Sequence, residues 1–260
     1  MIATGIDSTA ARLNPTDTLV TLDVDWAPDW MIEDVAERLV LANVRATFFA
    51  THDSPAIRAL IRNPLFEIGL HPNFLSGSSH GNTPDEIFKT LRSFLPEARS
   101  MRTHSLFQSE PLLGLCADRY NIEIDCSIHL PRVSHICPQA VILTDGGRTL
   151  VRVPHIFQDN MHIISNLPWT FSAIGLMSPG WKVLNFHPVH VILNSSSLQP
   201  YEALKVRGPL QTLTRADLPA VRADEPGTGA LFDQVLAVLK GRETHTVSTR
   251  VQLWKQKSQI

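Results

Sequence analysis

The apolar positions in the first third of the chain follow two alternating rhythms. Short runs of apolar and β-branched residues, typical of buried strands, occur at 18–25, 45–50 and 66–71. Between them, apolar residues recur at helical spacing in two stretches that begin near Pro28 and Ser54. This close succession of strand, helix, strand, helix and strand indicates a βαβ organisation and a mostly parallel sheet.

The rest of the chain keeps this rhythm less regularly. Thr83, followed three residues later by Glu86, predicts a helix start with a capping box. The other predicted elements are short extended segments at 99–105 and 122–125, a hairpin with arms near 139–144 and 148–153, a late strand at 181–187 and a helix at 229–240. Residues 154–180 are irregular and contain several prolines, and we interpret them as a lid or wall over a site.

The composition is that of a globular protein. The 260 residues are 43% hydrophobic and 18% charged, without internal repeats or a visible boundary, so we expect a single domain over 1–260. The net charge of −2 gives no electrostatic argument for a nucleic-acid partner. The longest apolar runs are too short to form a transmembrane segment. Nothing in the sequence predicts the oligomeric state.

The cysteines and the N-terminus predict a cytoplasmic location. Residues 1–15 lack the apolar core of a secretion signal. The three cysteines, Cys116, Cys126 and Cys137, are odd in number and form no C-x-x-C pair. Reduced thiols in a cytosolic protein are the simplest interpretation.

Acidic, basic and imidazole side chains stand at the ends of the predicted strands. These residues are Asp23, Asp25, His71, Arg102 and His187. Because the carboxyl ends of parallel strands meet on one face, we expect the five side chains to converge. One carboxylate and two imidazoles form a common open zinc set, and bound zinc lowers the pKa of its water to about 7. A second carboxylate can act as base and a histidine as acid, which together indicate a metal-dependent hydrolase.

Each of these residues also has an ordinary structural explanation. The two acids can cap the helix that follows them. His71 and His187 can be hydrogen-bonded core histidines, and His80, in a loop rich in Ser and Gly, can be a surface residue. Arg102 can be ion-paired or solvated. The recurrence of such residues at successive strand ends is what favours the metal site.

Five short motifs of the sequence resemble the polysaccharide deacetylase superfamily, the NodB-homology domain of carbohydrate esterase family 4. They are Thr21-Leu-Asp23-Val-Asp25, Arg45-Ala-Thr-Phe-Phe-Ala50, Phe66-Glu-Ile-Gly-Leu-His71, the segment at Arg102, and Leu184-Asn-Phe-His187. Thr246-Val-Ser also resembles the family's closing strand. The likeness spans about 18–250 and implies an α/β fold, a distorted (β/α)7-type barrel, here with an inserted β-hairpin and long loops.

The resemblance implies a role for each residue that matches a motif. Asp23 corresponds to the catalytic base, and Arg102 to the arginine that orients it. Asp25 and His71 correspond to metal ligands, and His187 to the general acid. The implied cofactor is Zn²⁺, although an Asp/His/His set also accepts other divalent transition metals.

The first two motifs depart from the family pattern. Val24 separates two acids that are usually adjacent, which leaves open which acid does which job. The family's second histidine comes four residues after the first, where this chain has Leu75. We expect His80 to be the third metal ligand, carried to the metal by an inserted loop, with Asn73 or water as the alternative.

The third and fourth motifs also differ from the family. The third continues as Arg102-Thr-His104, so we expect His104 to face the substrate. Asp125 falls where the fourth motif would be and is expected on the substrate side of the site. Its alternative roles are to orient a catalytic group or to cap a turn.

The resemblance implies an N-deacetylase of amino sugars, of a branch linked to surface-polysaccharide and O-antigen synthesis. Its substrate would be an N-acylated sugar, as a small molecule or linked to a nucleotide or lipid carrier. Two alternatives remain open. One is a hydrolase of non-sugar C–N bonds, such as cyclic amides and ureides. The other is a catalytically inactive carbohydrate-binding relative with an incomplete metal site.

Overall fold

A computed structural model of the chain describes residues 14–218 and 225–259, which fold around one mostly parallel sheet. Its strands are β1 (Thr18–Asp23), β2 (Ala46–Ala50), β3 (Phe66–Leu70), β4 (Ser100–Met101), β5 (Ile124–Asp125), β6 (Gln139–Ile142), β7 (Thr149–Arg152), β8 (Phe157–Gln158) and β9 (Lys182–Phe186). Their order across the sheet is β6-β7-β5-β4-β3-β2-β1-β9-β8. Neighbours are parallel except β6 with β7.

Helices follow most of the strands and cover the sheet. They are α1 (Asp29–Ala42), α2 (Pro55–Ile61), α3 (Pro84–Arg92), α4 (Glu110–Asp118), α5 (Asp159–Ile164), α6 (Pro188–Ile192), α7 (Gln199–Lys205), α8 (Thr228–Leu239) and α9 (Val247–Ser258). The first four each follow one of the strands β1 to β4, which is the predicted βαβ pattern. None of the helices in the described ranges is long and apolar enough to cross a membrane. Residues 1–13, where we expected no secretion signal, lie outside these ranges.

The stretch from β7 to β8 joins the two ends of the parallel sheet. β7 pairs with β5, and β8 pairs with β9. Between them, His155 forms a parallel bridge with His129, and the Ile156 amide donates to the Val183 carbonyl over 2.9 Å. One continuous path therefore closes the sheet into an irregular barrel, and the predicted α/β barrel-type fold is confirmed.

The core forms because β1 and its neighbours are apolar on both faces. All six residues of β1 are buried, and so are all five of β2 and of β9. On α1, the buried positions recur at helical spacing, with Ile32, Val35 and Leu39 fully inaccessible. A parallel sheet buried on both faces is what such runs predict. The candidate site residues stand at or near the ends of these strands.

The predicted hairpin and the predicted closing strand have different outcomes. β6 and β7 form the expected antiparallel hairpin, although β7 also serves as a strand of the barrel. The expectation of a strand at Thr246 is wrong. Thr246 is the N-cap of α9, and its hydroxyl accepts the Thr249 amide. A residue of β3 fixes the start of α9, because the Glu67 carboxylate accepts the Ser248 amide at 2.8 Å.

Candidate metal and catalytic site

A left-handed turn at the end of β1 sets the positions of the two acids. Asp25 and Trp26 have φ values of 44° and 58°, which are uncommon for residues other than glycine. The Ala27 amide donates to the Val24 carbonyl at 2.9 Å and closes the turn. Such backbone strain costs on the order of 1–3 kcal/mol per residue and is concentrated at functional sites. It lets Asp25 enter the barrel mouth even though Val24 separates it from Asp23.

Asp23 is held by two side chains, one on each carboxylate oxygen. Arg102 Nη1 donates to Oδ1 at 2.9 Å, and Asn185 Nδ2 donates to Oδ2 at 2.7 Å. Arg102 Nη1 also donates to Asn185 Oδ1 at 2.7 Å, so the orientation of the amide is determined. Burial raises the pKa of Asp23, but the charges of Arg102, His71 and His187 hold it below its ordinary value. Asp23 is therefore an ionised carboxylate inside a buried site.

Arg102 is fully buried beneath this carboxylate. Its Nε donates to the Cys126 carbonyl at 3.1 Å, and its guanidinium lies 4.6 Å from the centre of the Phe49 ring. Thr21 Oγ1 accepts from Nη1 at 3.0 Å, while Nη2 has no partner among the described residues. A buried guanidinium needs an anionic partner, and Asp23 is the carboxylate it contacts.

Asp25, His71 and His104 converge on one point. Asp25 Oδ1 lies 3.0 Å from His71 Nε2 and 3.0 Å from His104 Nδ1. Among the described residues, they are the one group of three His, Cys, Asp or Glu side chains close enough to hold a metal, with ligand atoms within 4.8 Å of one another. His71 Nδ1 is buried without a hydrogen-bond partner in the described part of the chain. Carboxylate oxygen and imidazole nitrogen are the donors that zinc prefers, so the set fits a divalent transition metal.

The electrostatics of this group suit a cation. Burial raises the pKa of Asp25, yet hydrogen bonds from His104 and His71 bring it well below its ordinary value. Burial lowers the pKa of His104, and the hydrogen bond to Asp25 raises it above its ordinary value. The Asp25 carboxylate is therefore ionised, and its negative charge favours a cation beside it.

The structure brings His104 into this group in place of His80. The His104 amide donates to the Pro72 carbonyl at 2.9 Å, which ties it to the residue after His71. His80 was expected to be the third ligand, but both of its ring nitrogens contact backbone. Nδ1 accepts the Asn73 amide at 3.1 Å, and Nε2 lies 2.7 Å from the Thr51 carbonyl. His80 therefore joins its own loop to the backbone at Thr51 and Asn73. With both ring nitrogens engaged in this way, it has none free to bind a metal.

His187 faces the same group from the opposite side. Its Nε2 lies 3.5 Å from Asp25 Oδ2 and 3.8 Å from Asp23 Oδ2. Its Nδ1 contacts Asp159 Oδ1 at 2.5 Å, and its amide donates to Asp159 Oδ2 at 2.7 Å. Burial lowers the pKa of His187, but Asp159, with Asp25 and Asp23, raises it to about 10. His187 is thus a protonated imidazole that directs Nε2 toward the acids.

Asp125 lies too deep to face a substrate. It is fully buried, and its Oδ2 accepts from Arg152 Nε at 2.6 Å. Its Oδ1 accepts from the Ser127 hydroxyl at 2.6 Å, and Ser127 Oγ in turn accepts the Thr103 amide at 2.8 Å. The expected substrate contact is therefore not met. Asp125 instead fixes the loop that carries His104, in line with the alternative that it orients a catalytic group.

Sequence reasoning missed two residues of the site. Asn185 lies two positions before His187, and its place within the Leu184-Asn-Phe-His187 motif was the available signal. Asp159 lies in the irregular stretch 154–180, which we expected to cover a site, and it is fully buried. A buried acid needs a partner, but the sequence of that stretch does not say which one.

The group of Asp25, His71 and His104 opens onto a cleft of about 350 Å³. Asp25 and His104 form its floor, with Trp26, Tyr201 and Gln211 among the other lining residues. We call this the metal-side cleft. Its volume is within the range of small-molecule sites, and a ligand in it can contact Asp25 and His104.

Comparison with known proteins identifies relatives of this chain. The family described as WbmS-like polysaccharide deacetylase matches residues 20–205. The chain is similar to a Bordetella bronchiseptica protein to which polysaccharide deacetylation in O-antigen biosynthesis has been attributed, with 32% identity, a TM-score of 0.72 and coverage of 85% of this chain and 89% of that one. No curated protein sequence matches the chain.

Two further solved structures are more distant. The Bc1960 peptidoglycan N-acetylglucosamine deacetylase has 16% identity and a TM-score of 0.47, covering 91% of this chain and 89% of that one. A family 4 acetyl xylan esterase from Clostridium thermocellum, solved with a cobalt ion, has 16% identity and a TM-score of 0.42, covering 91% and 90%. The family match and the Bordetella relative span most of the chain, and the chain therefore belongs to the WbmS-like polysaccharide deacetylase family.

Proposed function

We propose that the chain is a metal-dependent hydrolase that removes an N-acyl group, most simply acetyl, from an amino sugar in surface-polysaccharide biosynthesis. The observation that carries this proposal is the pairing of two acids with separate surroundings. Asp25 lies among imidazoles at the cleft floor, while Asp23 is held by a guanidinium and an amide. A metal site with an adjacent general base requires two such carboxylates, one that binds the metal and one that accepts a proton.

The proposed metal ligands are Asp25, His71 and His104. When bound, a divalent metal would act as a Lewis acid toward the acyl carbonyl and make a water molecule acidic enough to attack at neutral pH. Zn²⁺ is the proposed ion, with cobalt, nickel and manganese as alternatives that the same donors accept.

Asp23 is the proposed base. Its two oxygens are each held by one donor, which leaves a further lone pair on each for the proton of the attacking water. Arg102 keeps the carboxylate ionised, and Asn185 keeps it oriented. Because both partners are buried and hydrogen-bonded themselves, the base does not have to reorganise during the reaction.

His187 is the proposed acid. Its Nδ1–H points to Asp159, so a second proton on Nε2 faces the site and can pass to the leaving amine. The arrangement of a carboxylate behind the imidazole fixes both the ring and the tautomer.

The family and the role attributed to the Bordetella relative support an N-acetylated amino sugar and a place in surface-polysaccharide synthesis. A cytoplasmic location is part of the same proposal. It rests on the three cysteines, all of which are free.

Asp23→Asn tests the proposal. The variant should lose deacetylase activity toward N-acetyl sugars by about 10²- to 10⁴-fold and keep its metal, measured by mass spectrometry of purified protein. A fully active variant would remove Asp23 from the mechanism. A parallel screen of N-acetyl sugars and small cyclic amides distinguishes the two hydrolase hypotheses. Wild-type protein that binds no added zinc and hydrolyses neither class would support the inactive carbohydrate-binding alternative.

A further inference from the structure

The chain contains two tyrosines, and their hydroxyl groups have different surroundings. The hydroxyl of Tyr120 donates to Asp85 Oδ1 at 2.5 Å, and its ring stacks on Phe88 with the ring centres 3.9 Å apart. Tyr201, on α7, lines the metal-side cleft together with Asp25. Its hydroxyl makes no hydrogen bond to another described residue. This phenol is therefore available to a ligand in the cleft.

We infer that Tyr201 is a further catalytic residue, whose hydroxyl donates a hydrogen bond to the acyl oxygen as that oxygen becomes negatively charged. The inference rests on the proposed function and goes beyond it. Tyr201 lies outside the five motifs that resemble the family, so the resemblance assigns it no role. Donors directed at a developing oxyanion are usually the largest single contribution to catalysis.

The Tyr201 ring lies on the side of the proposed acid. Its centre is 5.0 Å from that of the His190 ring, which in turn lies 5.8 Å from the His187 ring at an interplanar angle of 82°. His190 is buried, and its Nδ1 contacts Ser195 Oγ at 3.1 Å. A row of three packed rings thus connects Tyr201 with the histidine that faces the leaving amine in the proposed reaction.

The segment that follows Tyr201 is fixed to α1. Trp30 Nε1 donates to the Leu213 carbonyl at 2.8 Å, and the Arg215 guanidinium lies 4.7 Å from the centre of the Trp30 ring. Leu204 on α7 and Leu213 are both buried. These contacts hold α7 and the residues after it as one wall of the cleft. A donor on such a wall does not have to reorganise when charge develops.

The electrostatics keep this phenol in its donor form. Burial, together with the negative charges of Asp25 and Glu202, raises the pKa of Tyr201 to about 12. The hydroxyl is therefore protonated at neutral pH and carries no charge of its own. It can donate to an oxyanion without repelling the cation that the Asp25 carboxylate favours.

Other donors around the metal-side cleft are engaged or lie in the open. The Trp26 ring packs on the His104 ring at 5.2 Å, and the Trp26 amide donates to Thr51 Oγ1 at 3.2 Å. The His104 amide donates to the Pro72 carbonyl. Gln211 is exposed to solvent. The half-buried phenol is thus the donor best shielded from water, where a hydrogen bond to a charged oxygen is strongest.

The inferred contact acts when water adds to the substrate. The water oxygen bonds to the acyl carbon, one of its protons passes to Asp23, and the π electrons of the carbonyl move onto the acyl oxygen, to which Tyr201 donates. When the C–N bond breaks, these electrons re-form the carbonyl. The amine leaves with the electrons of the broken bond and takes a proton from His187. A proton passed from Asp23 to His187, whose Nε2 lies 3.8 Å from Asp23 Oδ2, restores both groups.

Tyr201→Phe tests the inference, and Tyr120→Phe is the matched control, since it removes the hydroxyl that contacts Asp85 outside the cleft. Both zinc-loaded variants are assayed with N-acetylglucosamine. We expect Tyr201→Phe to lower kcat by about 10²-fold or more, with KM within about twofold of the wild-type value, because the contact forms only as charge develops. Tyr120→Phe should keep both constants, and both variants should keep their metal by mass spectrometry.

A second readout does not depend on turnover. Acetohydroxamic acid carries an oxygen that becomes anionic beside a metal ion, and it serves as the probe for the same hydrogen bond. Calorimetry with the zinc-loaded proteins should show binding about tenfold weaker in Tyr201→Phe than in the wild type, because hydrogen bonds to charged groups are stronger than neutral ones. Tyr120→Phe should bind the probe as the wild type does.

The outcomes separate this inference from the proposed function. A kcat within about twofold of the wild type, a change confined to KM, or an equal fall in Tyr120→Phe overturns the inference and leaves the deacetylase. Metal lost from Tyr201→Phe also overturns it, because the residue would then act through the metal site. Failure of the wild type to hydrolyse any N-acetyl sugar counts against the proposed function. In that case the calorimetry decides, and a probe that binds wild type and Tyr201→Phe equally, or binds neither, overturns the inference as well.

Discussion

His187 Nδ1 lies 2.5 Å from Asp159 Oδ1, and the other oxygen of the same carboxylate accepts the His187 amide. A fully buried carboxylate thus holds both the ring and the backbone of the histidine that faces Asp23 and Asp25. Asp159 reaches no substrate itself, since its two oxygens are engaged by His187. It is a positioning residue whose effect has to pass through the imidazole.

Asp159→Asn should lower kcat by about 10²- to 10⁴-fold while the metal content stays the same. Because Asp159 is the largest influence raising the pKa of His187 to about 10, its loss should move the alkaline limb of the pH–rate profile to lower pH. The profile of kcat/KM between pH 6 and 11 measures this. An alkaline limb that does not move would mean that His187 is not the proton donor.

His104→Ala should abolish stoichiometric metal binding, whereas His80→Ala should retain it. The reason is that His104 Nδ1 meets Asp25, while both nitrogens of His80 are engaged by backbone groups. Loss of the His80 ring leaves a backbone amide and a carbonyl unpaired and should cost about 1–3 kcal/mol of stability. Metal analysis and urea unfolding of both variants provide the measurement. If His80→Ala lost the metal and His104→Ala kept it, His80 and not His104 would be the third ligand.

Asp125→Asn should destabilise the protein by about 3 kcal/mol, since it leaves the Arg152 guanidinium without its buried anion. Asp85→Asn is the matched control. It breaks an exposed pair with Arg119 and should cost less than about 1 kcal/mol. Denaturant unfolding compares the two. If Asp125→Asn kept full stability and lost only substrate affinity, the original expectation of a substrate contact would be restored.

Acidification should destabilise the fold before its carboxylates titrate. Burial lowers the pKa values of His155 and His80 below the ordinary value of about 6.5. Below that pH the unfolded chain binds protons that these folded imidazoles do not, so stability present above pH 6.5 is lost as pH falls. For His155 alone the slope approaches about 1.4 kcal/mol per pH unit.

Urea unfolding at pH 7.0, 6.0 and 5.0 measures that slope. His155→Gln should make the pH dependence shallower, and His135→Gln, at an exposed histidine, should leave it as in the wild type. If both variants showed the wild-type slope, the buried imidazole would not be the source of acid sensitivity.

The sequence predicted the convergence of those candidate residues whose position follows from a strand end. Asp23, His71 and His187 each end or follow a strand of the parallel sheet, and the convergence of such ends is a property of parallel sheets. His104 was misplaced because the family spacing pointed to a histidine near His71. What brings His104 to Asp25 is a hydrogen bond from its amide to the Pro72 carbonyl, a tertiary contact that no local pattern encodes.

The same distinction explains α9. Thr246 carries the signal of a strand by β-propensity and of a helix cap by its hydroxyl, and the two are indistinguishable in a short polar stretch. The Glu67 carboxylate stabilises the helix, because it accepts the amide of Ser248 in the first turn of α9. Tertiary contacts overrule local preference in such cases.

The position of β1 between β2 and β9 has a consequence for synthesis on the ribosome. Asn185, which donates to Asp23, the proposed base, follows it by 162 residues. While β9 is still inside the exit tunnel, one edge of β1 has no partner, and such an apolar edge invites chaperone binding or aggregation. The proposed metal ligands are therefore synthesised before Asn185 and before His187, the proposed acid, and the proposed site is complete only after β9 has left the tunnel.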